Sequence, residues 1–150
     1  MREFLKNLHV VGCVGCWQEG ETVHYTLDNL LKYCDEIAIL LDKPDEVTEK
    51  FIKGYQENYP NIFVEYSTVP PLRDPTHIRR RTKVYASKLG EEKLAIVKKI
   101  HEFRPIDILL AVDSDEVFGP DLPDILEKFW KSSYTSINSR PITVYDKVNI

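Results

Sequence analysis

Ile106-Asp107-Ile108-Leu109-Leu110-Ala111-Val112 runs directly into Asp113-Ser114-Asp115-Glu116. A short aliphatic run without polar alternation is the pattern of a strand covered on both faces, as strands of a parallel sheet are. It is the most apolar stretch of the chain, so it is expected to lie at the centre of a sheet. Its end is equally informative. In open α/β sheets ligands collect beyond the carboxyl ends of the strands, and here that end carries three carboxylates within four residues.

Working outward, Leu8 to Val14, Glu36 to Asp42 and Ile62 to Tyr66 read as three further strands. Between them, Val23, Leu27, Leu30, Leu31 and Cys34 recur at helical spacing. Pro44 and Asp45 open a second helix, with Val47, Phe51 and Tyr55 on one face and Pro60 at its close. From an Asp74 cap and Pro75, the series Ile78, Tyr85, Leu89, Leu94, Val97, Ile100 and Phe103 predicts a long helix that Gly90 kinks or splits. After the acidic cluster, Leu122, Ile125, Leu126, Phe129 and Trp130 form a sheet-packing helix behind Asp121 and Pro123. Tyr134 to Asn138 and Ile142 to Tyr145 alternate as half-exposed edge strands do. Strands alternating with crossover helices predict right-handed βαβ units, hence an α/β fold with a mainly parallel sheet flanked by helices. One edge of that sheet then gathers Trp17 to Glu19, Asp42, Ser67-Thr68 and Asp113 to Glu116.

At 150 residues the chain has the size of one domain, residues 1–150, able to bury most of its unfolded surface. A net charge of -4 excludes a general polyanion binder, so nucleic acid is not an expected partner. The local exception is Arg79-Arg80-Arg81, a basic cluster sized for one or two phosphate groups. Arg80 and Arg81 are its candidates, with Arg81 nearest the helical face of Ile78, Tyr85 and Leu89. No window has the roughly 18 apolar residues that a membrane span needs, and a cytoplasmic location is expected. Three cysteines fit a reducing compartment. Cys13-Val14-Gly15-Cys16 is a CxxC, but it lacks a second ligand pair at zinc spacing and reads as small strand-end residues.

On an extended segment Asp113 and Asp115 point the same way and can share an ion. Hard oxygen ligands suit Mg²⁺ or Mn²⁺, with water and phosphate oxygens completing the coordination.

Gln18-Glu19 after the first strand, Cys34-Asp35-Glu36-Ile37 leading to a strand that ends at Asp42, and Leu110-Ala111-Val112-Asp113-Ser114-Asp115-Glu116-Val117-Phe118 together resemble the family 2 type glycosyltransferases. The last segment is similar to that family's metal-binding Asp-x-Asp motif. The resemblance covers nearly the whole chain and implies a Rossmann-like fold of the GT-A type. It further implies a nucleotide-sugar donor of the UDP or GDP class, an Mn²⁺ or Mg²⁺ cofactor, and transfer to an unknown acceptor. Asp115 would ligate the metal, and Asp113 would contact the metal or the ribose. Asp42 would accept from the nucleobase, Glu19 would lie near the nucleotide, and Trp17 would offer an aromatic surface. An inverting enzyme also needs a carboxylate base, for which Asp146 is the only carboxylate after Glu127. In the family this base lies well beyond the metal motif, so the acceptor-binding half is expected to be missing or reduced, with a partner chain or oligomer supplying it.

Two other readings stay open on sequence. A haloacid-dehalogenase-type phosphatase would use Asp113 as nucleophile and Asp115 as acid/base. A non-catalytic α/β module would bind a nucleotide without turnover.

Overall fold

The computed structural model describes residues 3–70, 83–133, 136–139 and 142–146, with 83–86 and the segments beyond 133 described by backbone alone. In chain order the elements are α1 (Glu3–Lys6), β1 (Val10–Cys16), a 3-10 turn (Gly20–Thr22), α2 (Val23–Leu31), β2 (Glu36–Leu41), α3 (Glu46–Asn58) and β3 (Ile62–Tyr66). They continue with α4 (Lys83–Phe103), β4 (Ile108–Asp113), α5 (Leu122–Lys131), β5 (Ser136–Ser139) and β6 (Ile142–Asp146).

The strands form one sheet in the order β3-β2-β1-β4-β6-β5. The four strands β3, β2, β1 and β4 are parallel, and β6 and β5 extend the sheet as antiparallel neighbours. The mainly parallel α/β architecture is therefore the one expected, with β1 and β4 at its centre.

Because side chains alternate across a strand, the sheet carries two apolar layers. On one face Val14, Cys16, Ile39, Leu41, Leu110 and Val112 pack with Leu27 and Leu30 of α2, Ile52 of α3, and Leu126 and Phe129 of α5. On the other, Val11, Cys13, Ala38, Leu40 and Leu109 pack with Ile96, Val97 and Ile100 of α4. Gly12 permits the close approach of α2: a Cβ there would stand 3.2 Å from both the Cys34 Sγ and a Leu30 methyl. The amino ends of the strands are tied by side chains. His9 Nδ1 lies 2.8 Å from the Pro105 carbonyl oxygen, its Nε2 meets the Glu36 carboxylate, and its backbone N–H donates to Asp107 at 2.7 Å.

Several local expectations change. Helix α4 runs without a break through Gly90; one glycine costs about 1 kcal/mol, and the apolar face of α4 on the sheet outweighs it. Ile125 is exposed, because the buried stripe of α5 is Leu122, Leu126 and Phe129. Asp121 stands at the N-cap of α5 without a capping hydrogen bond, whereas Asp45 caps α3 by accepting from Thr48 N at 2.8 Å. Helix α1 has no counterpart in the sequence reading; Leu5 anchors it in the core. The Asp74 cap and its first turn lie outside the described residues.

Candidate functional site

All four parallel strands deliver their carboxyl ends to one edge. Strand β1 ends at Cys16, β2 at Leu41, β3 at Tyr66 and β4 at Asp113. The alternation of β1 and β4 puts Gly15 and Asp113 on the α4 side of that edge, and they are direct register partners.

At the end of β4, Asp113 and Asp115 are exposed while Ser114 between them is only 6% exposed. Ser114 and Asp115 lie in a turn, closed by the Glu116 N–H donating to the Asp113 carbonyl at 3.1 Å, so a turn rather than the extended segment expected from the sequence leaves both aspartates exposed with Ser114 inward. The inward group is heavily bonded. Ser114 Oγ donates to Glu19 Oε1 at 2.6 Å, and the Ser114 carbonyl accepts from Thr26 Oγ1 at 2.7 Å. That hydroxyl also lies 2.9 Å from the Glu116 carbonyl oxygen. One turn further along α2, Asn29 holds Phe118 both ways, donating to its carbonyl at 3.0 Å and accepting from its N–H at 2.7 Å. Tyr33 OH reaches the Gly119 carbonyl at 3.3 Å. Thr26, Asn29 and Tyr33 form a stripe at helical spacing that fixes the 114–119 segment from behind. The sequence reading passed over this stripe; its polar residues interrupt the apolar face of α2, which is the signal that marks them.

Among the described residues, Asp113, Asp115 and Glu116 have no cationic partner within ion-pair distance. Burial raises the Glu116 carboxyl above its ordinary pKa, and the charges of Asp113 and Asp115 push it the same way against a hydrogen bond from the Asp113 N–H. Among the described residues the cluster is therefore a concentration of negative charge without a direct ion pair. Exposed carboxylate oxygens are the ligand type that Mg²⁺ or Mn²⁺ takes. No group of three His, Cys, Asp or Glu side chains among the described residues closes a cage by itself.

Across the edge, Asp42 is only 4% exposed, and its Oδ1 accepts from Lys43 Nζ at 2.9 Å. Lys43 has a φ of 47°, the left-handed region that non-glycine residues seldom occupy. It is held there by Asp42, by the Val69 carbonyl that its ammonium meets, and by Gln18 Nε2, which donates to its carbonyl at 3.3 Å. Behind it, Glu92 of α4 accepts from the Thr68 N–H at 2.9 Å and from the Thr68 hydroxyl at 2.5 Å. The β1 loop is anchored as well: Gly20 N–H donates to the buried Thr48 hydroxyl at 2.7 Å, and Glu19 Oε2 accepts from the Trp17 N–H at 2.5 Å.

The structure thus gathers Trp17, Glu19, Asp42, Asp113 and Asp115 at one edge. Glu19 enters it with both carboxylate oxygens already bonded within the protein. Arg80 and Arg81 lie outside the described residues. Asp146 is the exception: its backbone pairs with Ile108, at the amino end of β4. Five residues of strand, about 17 Å, separate that position from Asp113, so Asp146 is removed as a base for this edge. The CxxC does not form a site either. Cys13 belongs to the α4 face and Cys16 to the opposite one. Burial pushes the Cys13 thiol up to about 11 and raises those of Cys16 and Cys34 further.

A mannosyltransferase from Pyrobaculum calidifontis, solved with GDP-Man and Mn²⁺, superposes on 93% of this chain with a TM-score of 0.59 at 12% identity. The fold is of the Rossmann-like GT-A type. A 4-diphosphocytidyl-2C-methyl-D-erythritol synthase from Anaerococcus prevotii matches 93% of the chain with a TM-score of 0.52 at 16% identity. The chain spans 44% of the mannosyltransferase and 72% of the synthase. No protein-family model and no curated protein matches the sequence. Among the described residues no helix is long and apolar enough to cross a membrane.

Proposed function

We propose that this chain binds the nucleoside diphosphate of a UDP- or GDP-sugar at the carboxyl edge of its sheet and serves as the donor-binding part of a glycosyltransferase. The observation that carries this reading is the exposed pair Asp113 and Asp115, without an ion pair among the described residues, at the end of a central strand and in a segment locked from behind by Glu19, Thr26 and Asn29. Asp115 and Asp113 hold a divalent cation, Mn²⁺ or Mg²⁺, which when bound neutralises charge on the leaving diphosphate. Asp42 serves the nucleobase, Trp17 lends an aromatic surface to base or ribose, and Arg80 and Arg81 approach the phosphates. Glu19 acts through Ser114 as a positioning residue. Donor and metal chemistry is thereby supplied from this edge; the acceptor and its base are not assigned to any residue here.

The GT-A type fold and the GDP-Man and Mn²⁺ bound by the mannosyltransferase support this reading. The breadth of the match to the synthase favours a second, nucleotidyl transfer at the same edge. The released product separates them, nucleoside diphosphate for the first and pyrophosphate for the second. The phosphatase reading is disfavoured because Asp113 ends the fourth strand of a GT-A type sheet. Calorimetric titration of UDP and GDP with Mn²⁺, repeated in EDTA, tests the proposal.

A further inference from the structure

Gly15 is the last α4-facing position of β1, between its register partners Leu40 of β2 and Asp113 of β4. Every neighbouring position on that face carries a side chain, so the glycine leaves a notch in the sheet surface. One side chain enters it. A Cβ on Gly15 would stand 3.6 Å from Cδ, 3.9 Å from Cε and 3.7 Å from Nζ of Lys93, so the lysine stem lies flat along the glycine with its ammonium at the carboxyl edge. The charge is close enough to act on both strand cysteines, where it opposes the upward push of burial.

Among the described residues Lys93 makes no hydrogen bond and no ion pair, although it is half-buried. Lys43, at the same edge, is committed to Asp42 and the Val69 carbonyl. A lysine stem that lies along the protein surface keeps its ammonium in water, so the charge of Lys93 is presented at the carboxyl edge and open to an anion. A lysine is a compact point charge suited to phosphate, and Gly15 lets such a group approach the backbone closely.

We propose that Lys93, seated in the Gly15 notch, is a phosphate-binding residue that meets the diphosphate of the bound nucleotide from the α4 side, independently of the metal held by Asp113 and Asp115. This rests on the nucleotide-binding reading above and adds to it a second source of positive charge. Nucleoside diphosphate should therefore outbind the matching nucleoside even when the metal is chelated.

The test compares GDP and UDP with guanosine and uridine by calorimetry, with Mn²⁺ and in excess EDTA, on wild-type chain, Lys93→Met and Lys93→Arg. Methionine keeps the stem and removes the charge. It should weaken nucleoside diphosphate binding by about 10- to 100-fold in both conditions, the loss expected for one charge-assisted bond. Nucleoside binding should not change, and arginine should restore most of the difference. Melting temperature should stay within about 2 °C; if Met shifts it further, Lys93→Gln replaces it. An unchanged diphosphate affinity in the charge-removing variant, or an equal loss for nucleoside and diphosphate, overturns the role of Lys93 alone. A wild-type chain that binds no nucleotide with or without Mn²⁺ overturns the nucleotide-binding reading and this proposal with it.

Discussion

The Glu19 carboxylate, in the loop after β1, accepts the Ser114 hydroxyl at 2.6 Å and so ties together the segments that follow the two central strands, where the acidic segment begins. Its other oxygen takes the Trp17 N–H at 2.5 Å. A charged, part-buried acceptor of this kind contributes about 1.5–3 kcal/mol. Glu19→Ala should lower stability by that amount in denaturant unfolding. Ser114→Ala added to it should lower stability further by less than it does alone, with a coupling of at least about 0.5 kcal/mol in the double-mutant cycle. Additive losses would mean that the two groups do not act on each other.

Asp42 presents a sharper choice, because it is buried and already bonded to Lys43. If it also accepts from a nucleobase, Asp42→Asn should weaken nucleotide binding by about 1.5–3 kcal/mol, seen equally with nucleoside and nucleoside diphosphate. A variant that loses only stability would make Asp42 the anchor of the Lys43 turn and nothing more.

At the opposite end of the strands, His9 is 1% exposed and bridges the Pro105 carbonyl and the Glu36 carboxylate. His9→Ala removes a buried ring together with its hydrogen bonds, which costs about 1–3 kcal/mol. Unfolding should register that loss while nucleotide affinity of the folded chain stays the same. A large change in affinity would break the separation between the structural and the binding edge.

The three buried thiols set an alkaline limit. Their pKa values are raised in the folded chain, Cys13 to about 11 from an ordinary 9.0, so they stay protonated where the unfolded chain has begun to ionise. The unfolded state then binds fewer protons, and stability falls as pH rises above about 9. Each thiol contributes a slope of up to about 1.4 kcal/mol per pH unit. Cys13→Ala should flatten part of this fall between pH 9 and 11. An unchanged slope would show that the thiol is not protected in solution.

Fold class and the carboxyl-edge residues were legible because they depend on local pattern. The apolar runs of β1, β2 and β4 announce buried parallel strands, whereas the turn that follows Asp113, and exposes both aspartates in place of the expected extended segment, left no such pattern. Boundaries were less so. The strand expected at Leu8 to Val14 runs from Val10 to Cys16, since a continuous apolar run does not mark where pairing with β2 and β4 starts. What escaped the sequence is what depends on distant partners: Lys93 against Gly15, His9 between Pro105 and Glu36, and Asn29 around Phe118. Each joins residues that only the sheet order brings together. Asp146 misled for the same reason, because its place in sequence gave no hint that β6 runs antiparallel and carries it to the far end of β4.

The proposed function stands on a metal-dependent nucleotide site at Asp113 and Asp115. Calorimetric titration of GDP and UDP into the chain with Mn²⁺, with EDTA, and into Asp115→Ala with Mn²⁺ tests it most directly. One nucleotide should bind with Mn²⁺, and EDTA and Asp115→Ala should weaken it to the same lower affinity while the variant keeps its unfolding transition. Nucleotide binding of equal strength in all three titrations would contradict it.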